Sequence, residues 1–179
     1  MDANQRLAVN RRLNRIELVI GVLWLVQAII MSALPGFESW QPQVPLAALV
    51  IVVHAVLELA HRRRWRVAHH SHWSLPFVDV VLCGLGLWQS VRYLMPDHEE
   101  ANVAALMLLA GFAMVVLLSL LSLHRGTVVA TTALAIGIEL IVFAEAKSLT
   151  WATAWITVLV LGGCGAVAGY VAHLLGGRS

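Results

Sequence analysis

Residues Val44–Trp65 read VPLAALVIVVHAVLELAHRRRW, and this stretch decides the fold. It begins as an apolar run long enough to enter a bilayer, whose core takes about 20 residues of helix. It ends in Arg62, Arg63, Arg64 and Arg66, cations suited to one membrane face. His54, Glu58 and His61 lie between. At roughly 100° per residue, these positions fall within about 60° of one another. One helical stripe therefore carries two imidazoles and a carboxylate into hydrocarbon. Ionisable groups at that depth are costly, face the protein interior by default and mark functional sites.

The rest of the chain has the same character. Of 179 residues, 60% are hydrophobic and 12% charged, against about 25% charged in soluble globular domains. Net charge is +2, with the charges segregated along the chain. Six apolar segments meet the length test: Ile16–Leu34, Val44–His61, Leu75–Leu94, Ala101–Leu123, Thr127–Ala146 and Trp151–Leu175. Pro35-Gly36 stops the first, and Pro76 sits in the first turn of the third, where proline is tolerated. The expected fold is all-α: a cytoplasmic segment over 1–15, a six-helix membrane bundle over 16–175, and a stub over 176–179. The basic N-terminus precedes a long span without a small-residue cleavage site, so it reads as a retained helix rather than a signal peptide. The spans leave no room for a catalytic domain, so the chain is not expected to be an enzyme by itself.

Charge sets the expected orientation. Ten of the 12 basic residues fall on one side of a six-span topology, among them Arg6, Arg11, Arg12, Arg15, Arg125 and Arg178. Arg92 and Lys147 fall on the other, with Glu38, Asp97, Glu99, Glu100 and Glu145. Basic loops stay cytoplasmic, so both termini are expected inside and Asp97–Asn102 outside. Trp40, Trp73 and Trp151 suit an interfacial belt. Cys83 and Cys164 sit within apolar spans and read as small buried residues. The basic residues are explained by topology, which leaves no case for nucleic-acid binding.

Four histidines lie in or at the ends of spans: His54, His61, His124 and His173. The last three reach similar depth near the cytoplasmic face. His54 lies about 10 Å deeper, at 1.5 Å rise per residue. Imidazole in one layer of several helices is a ligand set for haem iron or another transition metal. Gly162, Gly165 and Gly169 share a face with His173. Such a flat groove admits a neighbouring helix, or a planar macrocycle with His173 as axial ligand. Glu17, Gln27, Asp79, Gln89 and Glu139 are further polar groups within spans. Each serves as packing glue between helices, or, like Glu58, Asp79 and Glu139, as a partner orienting histidine N–H groups or as part of a proton path. The histidines of the HHSH run, His69, His70 and His72, read as a solvated loop, and His98 as solvated on the far side.

The RRRWR turn, the third span opening LPFVDVV and the tight hairpin LLSLLSLHRGTVVATTALAIG give a layout similar to a known architecture. It resembles the six-helix membrane anchors of bacterial class III adenylyl cyclases, histidine kinases and diguanylate cyclases. The resemblance implies an inner-membrane homodimer that passes a signal through its sixth helix to a cytoplasmic output domain, here absent or lost by truncation. A subset of these cyclase anchors resembles quinol-reactive b-type cytochromes, with haem held by four membrane histidines. That subset implies haem b, a quinone partner, and His54, His61, His124 and His173 as iron ligands. Two other classes stand beside this sensor. One is a small proton-coupled transporter using Glu58, Asp79 and Glu139, for which no inverted repeat or Gly/Pro-broken span pair is found. The other is a structural anchor in the lipid bilayer.

Overall fold

In a computed structural model of the chain, which describes residues 3–34, 40–93, 98–145 and 150–176, every regular element is helical and no strand occurs among the described residues. Six α-helices follow the six apolar segments: α1 (Ala3–Ser32), α2 (Gln43–Arg62), α3 (Val81–Tyr93), α4 (His98–Leu118), α5 (Arg125–Glu145) and α6 (Trp151–Gly176). A 3-10 helix over Arg66–Trp73 and a π-helical segment over Leu75–Val80 join α2 to α3. A short 3-10 turn, Ser119–Ser122, extends α4. The stop at Pro35-Gly36, the acids Glu38 and Asp97, and Lys147 and Arg178 lie outside the described residues.

Among the described residues, four helices are long and apolar enough to cross a membrane: Leu7–Ser32, Gln43–Arg62, Arg125–Glu145 and Trp151–Leu175. The apolar parts of the other two are shorter, Leu75–Gly86 and Leu108–Ser122. Leu23, Met114, Val129 and Leu159 are each more than 60% exposed. Bulky apolar side chains facing outward along several helices suit lipid better than water.

Helix α1 differs from the sequence reading. The helix does not begin at Ile16 but at Ala3 and runs unbroken for 30 residues, so the basic positions before Ile16 belong to it. At 1.5 Å per residue it is roughly 45 Å long. Its early inward positions, Asn10, Leu13 and Asn14, are buried. They continue the stripe that packs on α2 and the 3-10 helix.

Helix α2 ends where the arginines begin. Arg64 takes a left-handed φ of 54°. The Trp65 N–H then donates to Ala60 O at 2.9 Å, and Arg63 N–H to Leu59 O at 3.0 Å. These bonds satisfy carbonyls that the helix end would leave open, and they turn the chain back. The 3-10 helix thereby returns against α1, burying Ala68, Ser71 and His72.

The apolar core lies among α3, α4, α5 and α6, where Val91, Phe112, Val116, Ala135, Val142 and Leu161 are buried together. Gly165 allows α6 to approach α5: a Cβ there would sit 2.7 Å from Thr132 Cγ2. Most hydroxyls in this part bond their own preceding turn, as Thr131 does to Thr127 O at 2.7 Å and Thr157 to Thr153 O at 2.9 Å. They hide polarity without tying helices together. The seam between α1 and α2 is built differently, and it holds the candidate site.

Candidate functional site

The stripe of His54, Glu58 and His61 does face inward, with all three residues buried. The three groups serve three different arrangements.

His54 is fully buried and sits at the centre of one of them. Its Nδ1 is 3.0 Å from Asn14 Oδ1 and 3.3 Å from Glu17 Oε2, both on α1. Its Nε2 is 2.9 Å from Asp79 Oδ1 on the π-helical segment. Asn14 Nδ2 donates to the His54 backbone carbonyl at 3.1 Å, which directs its Oδ1 at the ring. The Ser74 hydroxyl lies 3.1 Å from Glu17 Oε2 and 2.6 Å from Ser71 O, with one proton to give to either. Glu17 Oε1 and Asp79 Oδ2 are buried without a partner among the described residues. One ligand atom from each of Glu17, His54 and Asp79 can be chosen so that all lie within 4.8 Å of one another. Such a group can share a proton or hold a cation, and each state changes what binds α1, α2 and the π-helical segment together. The wide winding of a π segment is a frequent feature of functional sites, and here it presents Asp79 to the ring.

About one helical turn along α2, Glu58 accepts three arginines. Arg11 donates from Nη2 at 2.9 Å and from Nε at 3.2 Å, Arg15 from Nη2 at 3.1 Å and Arg62 from Nε at 3.4 Å. The carboxylate is nearly covered while the guanidinium groups remain open. Glu58 therefore anchors the basic face and bonds neither His54 nor His61 among the described contacts.

His61 Nε2 lies 3.0 Å from Ser71 Oγ, whose own proton goes to Ala68 O at 3.1 Å. The proton in the His61–Ser71 bond must then come from His61 Nε2. His61 Nδ1 is buried without a partner among the described residues. The HHSH run departs from the expected solvated loop. His69 and His70 are exposed, but His72 is buried and stacks on His124 with ring centroids 4.1 Å apart. Burial, with His124 and His70 beside it, pushes the His72 imidazole down to about 4.

The four histidines expected as haem ligands thus occupy distinct settings. His54 has Asn14 on one ring nitrogen and Asp79 on the other, so iron could take it only by displacing one of them. His61 holds Ser71, and His124 stacks on His72. His173 is exposed beside a groove of about 590 Å³ between α5 and α6, lined also by Arg125, Gly162, Gly165, Gly169 and Tyr170. The main packing partners of α2 are α1, α3 and the 3-10 helix, whereas α6 packs on α5 and α4. Two axial imidazoles from α2 and α6 are therefore not brought face to face, and the residues as placed do not fit a four-histidine haem site. Glu139 lies elsewhere, fully buried in α5, with neither carboxylate oxygen partnered among the described residues.

Sequence reasoning did not put Asn10, Asn14 and Glu17 into the site. The usable pattern was their spacing of four and three, the same as that of His54, Glu58 and His61. The expected span begins only at Ile16, so Asn10 and Asn14 fall before it. No protein-family model matches this chain, and neither a curated protein nor a solved structure matches it.

Proposed function

We propose that this chain is the membrane-embedded input domain of a bacterial signalling protein. In this reading it crosses the inner membrane six times, works as a homodimer, and passes a signal through α6 to a cytoplasmic output such as an adenylyl cyclase. The observation that carries the reading is the buried Glu17–His54–Asp79 group at the meeting of α1, α2 and the π-helical segment. A change of charge there alters what holds these elements together. A bistable element biased at one site and read at another is the physical requirement for signalling.

The test is a fusion of the chain to a class III cyclase catalytic domain, with cyclic AMP as readout in membranes. Asp79→Asn and Glu17→Gln should each shift basal output by about fivefold or more. Output unchanged in both, with the proteins folded and inserted, would sink the reading.

One observation favours a second reading, a small proton-coupled transporter. Glu139 is fully buried and unpartnered among the described residues, as a carboxylate awaiting a proton or cargo would be. Proton uptake by proteoliposomes loaded with a pH dye, abolished by Glu139→Gln, would select it.

A further inference from the structure

We propose that Glu17, His54 and Asp79 form a binding site for one divalent first-row transition-metal ion, of the zinc, cobalt, manganese or iron class. As a cation-binding site it stands on its own geometry. As the identity of the input it rests on the sensor reading above.

The hydrogen bonds fix the ring. Asn14 uses its amide N–H on the His54 carbonyl, so its oxygen accepts from Nδ1–H. That assignment leaves the Nε2 lone pair pointing at Asp79 Oδ1, 2.9 Å away. A lone pair facing a carboxylate oxygen at that distance needs an electropositive particle between them. Histidines that bind metals characteristically donate their other N–H to an oxygen acceptor, which sets the tautomer. Asn14 supplies that acceptor here.

Charge and spare ligands point the same way. With both acids deprotonated, a neutral imidazole and two carboxylates would carry two negative charges in a nearly closed site, which a divalent ion cancels. Glu17 Oε1 and Asp79 Oδ2 are buried oxygens without partners among the described residues. Glu17 is 4% exposed, so its free oxygen faces the protein interior and not bulk solvent. Glu17 Oε2 now lies 3.3 Å from Nδ1, so bonds of about 2.1 Å from each ligand require Glu17 to turn toward the Nε2 side and the present separations, up to 4.8 Å, to close by side-chain movement. Asp79, with 15% of its side chain exposed, is the open edge through which an ion would enter. One imidazole with carboxylates favours transition metals over magnesium or calcium, which take oxygen alone. The three ligands come from three elements, so binding would staple α1, α2 and the π-helical segment.

The experiment uses the full chain purified in detergent, stripped with a chelator and titrated with cobalt(II), then zinc(II). The expected result is one cobalt per chain with visible d–d absorption, displaced by zinc, and a Tm that rises with metal concentration. Asp79→Asn and Glu17→Gln should each weaken binding more than about tenfold, and Asn14→Ala should weaken it about tenfold through loss of the ring's orientation. A His69→Ala, His70→Ala double variant should bind as the wild type does. The proposal is overturned if the wild type binds neither cobalt nor zinc. It is equally overturned if binding survives all three site variants, or if it is lost only in the His69/His70 variant. The cyclase fusion separates the two claims. Metal binding without a change in output leaves the site and removes the sensor, whereas output that responds to Asp79→Asn without any metal bound does the reverse.

Discussion

The α1–α2 seam and the α3–α6 core are joined by opposite means. The seam buries Asn10, Asn14, Glu17, Gln43, His54 and Glu58, and bonds most of them between elements. The core buries Phe112, Val116, Val142 and Leu161, and most of its hydroxyls bond within their own helix. In lipid the difference matters more than in water. Apolar side chains gain little by leaving hydrocarbon for protein, so the core is held by close packing. A seam of charges and hydrogen bonds is held by partners that must all be present. It is directional, intolerant of a missing member, and responsive to protons or ions.

The largest effect should follow from removing one member of the seam. His54→Ala leaves Asp79 and Glu17 buried without their imidazole and should destabilise by about 3–5 kcal/mol. Phe112→Ala, the matching deletion in the core, should cost about 3 kcal/mol, at the low end because lipid is itself apolar. The two regions would stop being distinct if His54→Ala cost less than Phe112→Ala in chemical unfolding in detergent. A His54→Ala, Asp79→Ala cycle sharpens the point, since these changes should couple by more than about 1 kcal/mol.

Close packing of the core predicts the next effect. Gly165→Ala places a methyl group against Thr132, whose β-branched side chain cannot swing clear. The expected loss is about 1–3 kcal/mol. Gly162→Ala, with open space around the position, should change stability by less than about 0.5 kcal/mol. Equal melting temperatures for the two variants would show that α5 and α6 do not approach as described.

The α1–α2 side should respond to mildly acidic pH through His72. His72 is buried neutral at about 4 when folded, against about 6.5 in an unfolded chain. Between these values the unfolded state binds more protons, so stability rises with pH. It is fully present above about 6.5 and is lost as pH falls toward 4, by on the order of 1–2 kcal/mol between about pH 7 and about pH 5. His72→Gln should flatten that part of the profile. An unchanged slope in the variant would assign the pH response to other groups.

The smallest effect concerns the turn that brings the 3-10 helix back to α1. Arg64 holds a left-handed φ of 54° that a side chain opposes. Arg64→Gly should stabilise by about 0.5–1 kcal/mol. A loss of stability would mean that the Arg64 side chain, not the backbone turn, secures the return.

The sequence by itself determined the helices and the direction of their polar stripes. Apolar length and period place all six α-helices within a few residues, apart from the starts of α1 and α3 and the end of α4, because a chain this apolar must satisfy its backbone internally. The same period turned His54, Glu58 and His61 inward. Tertiary structure alone decided which polar group meets which. Spacing along α2 says nothing of the partner helix, so Glu58 could not be assigned to Arg11, Arg15 and Arg62 rather than to a histidine. Depth along a span says nothing of azimuth, so His61, His124 and His173 share one expected layer, with His54 beneath it, although all four have separate neighbours. Asp79 reaches His54 because of the π winding at Leu75–Val80, and Asn14 and Glu17 reach it because α1 continues unbroken past its basic start. Partner choice depends on how helices rotate and slide against one another, and that is set by packing across the whole molecule.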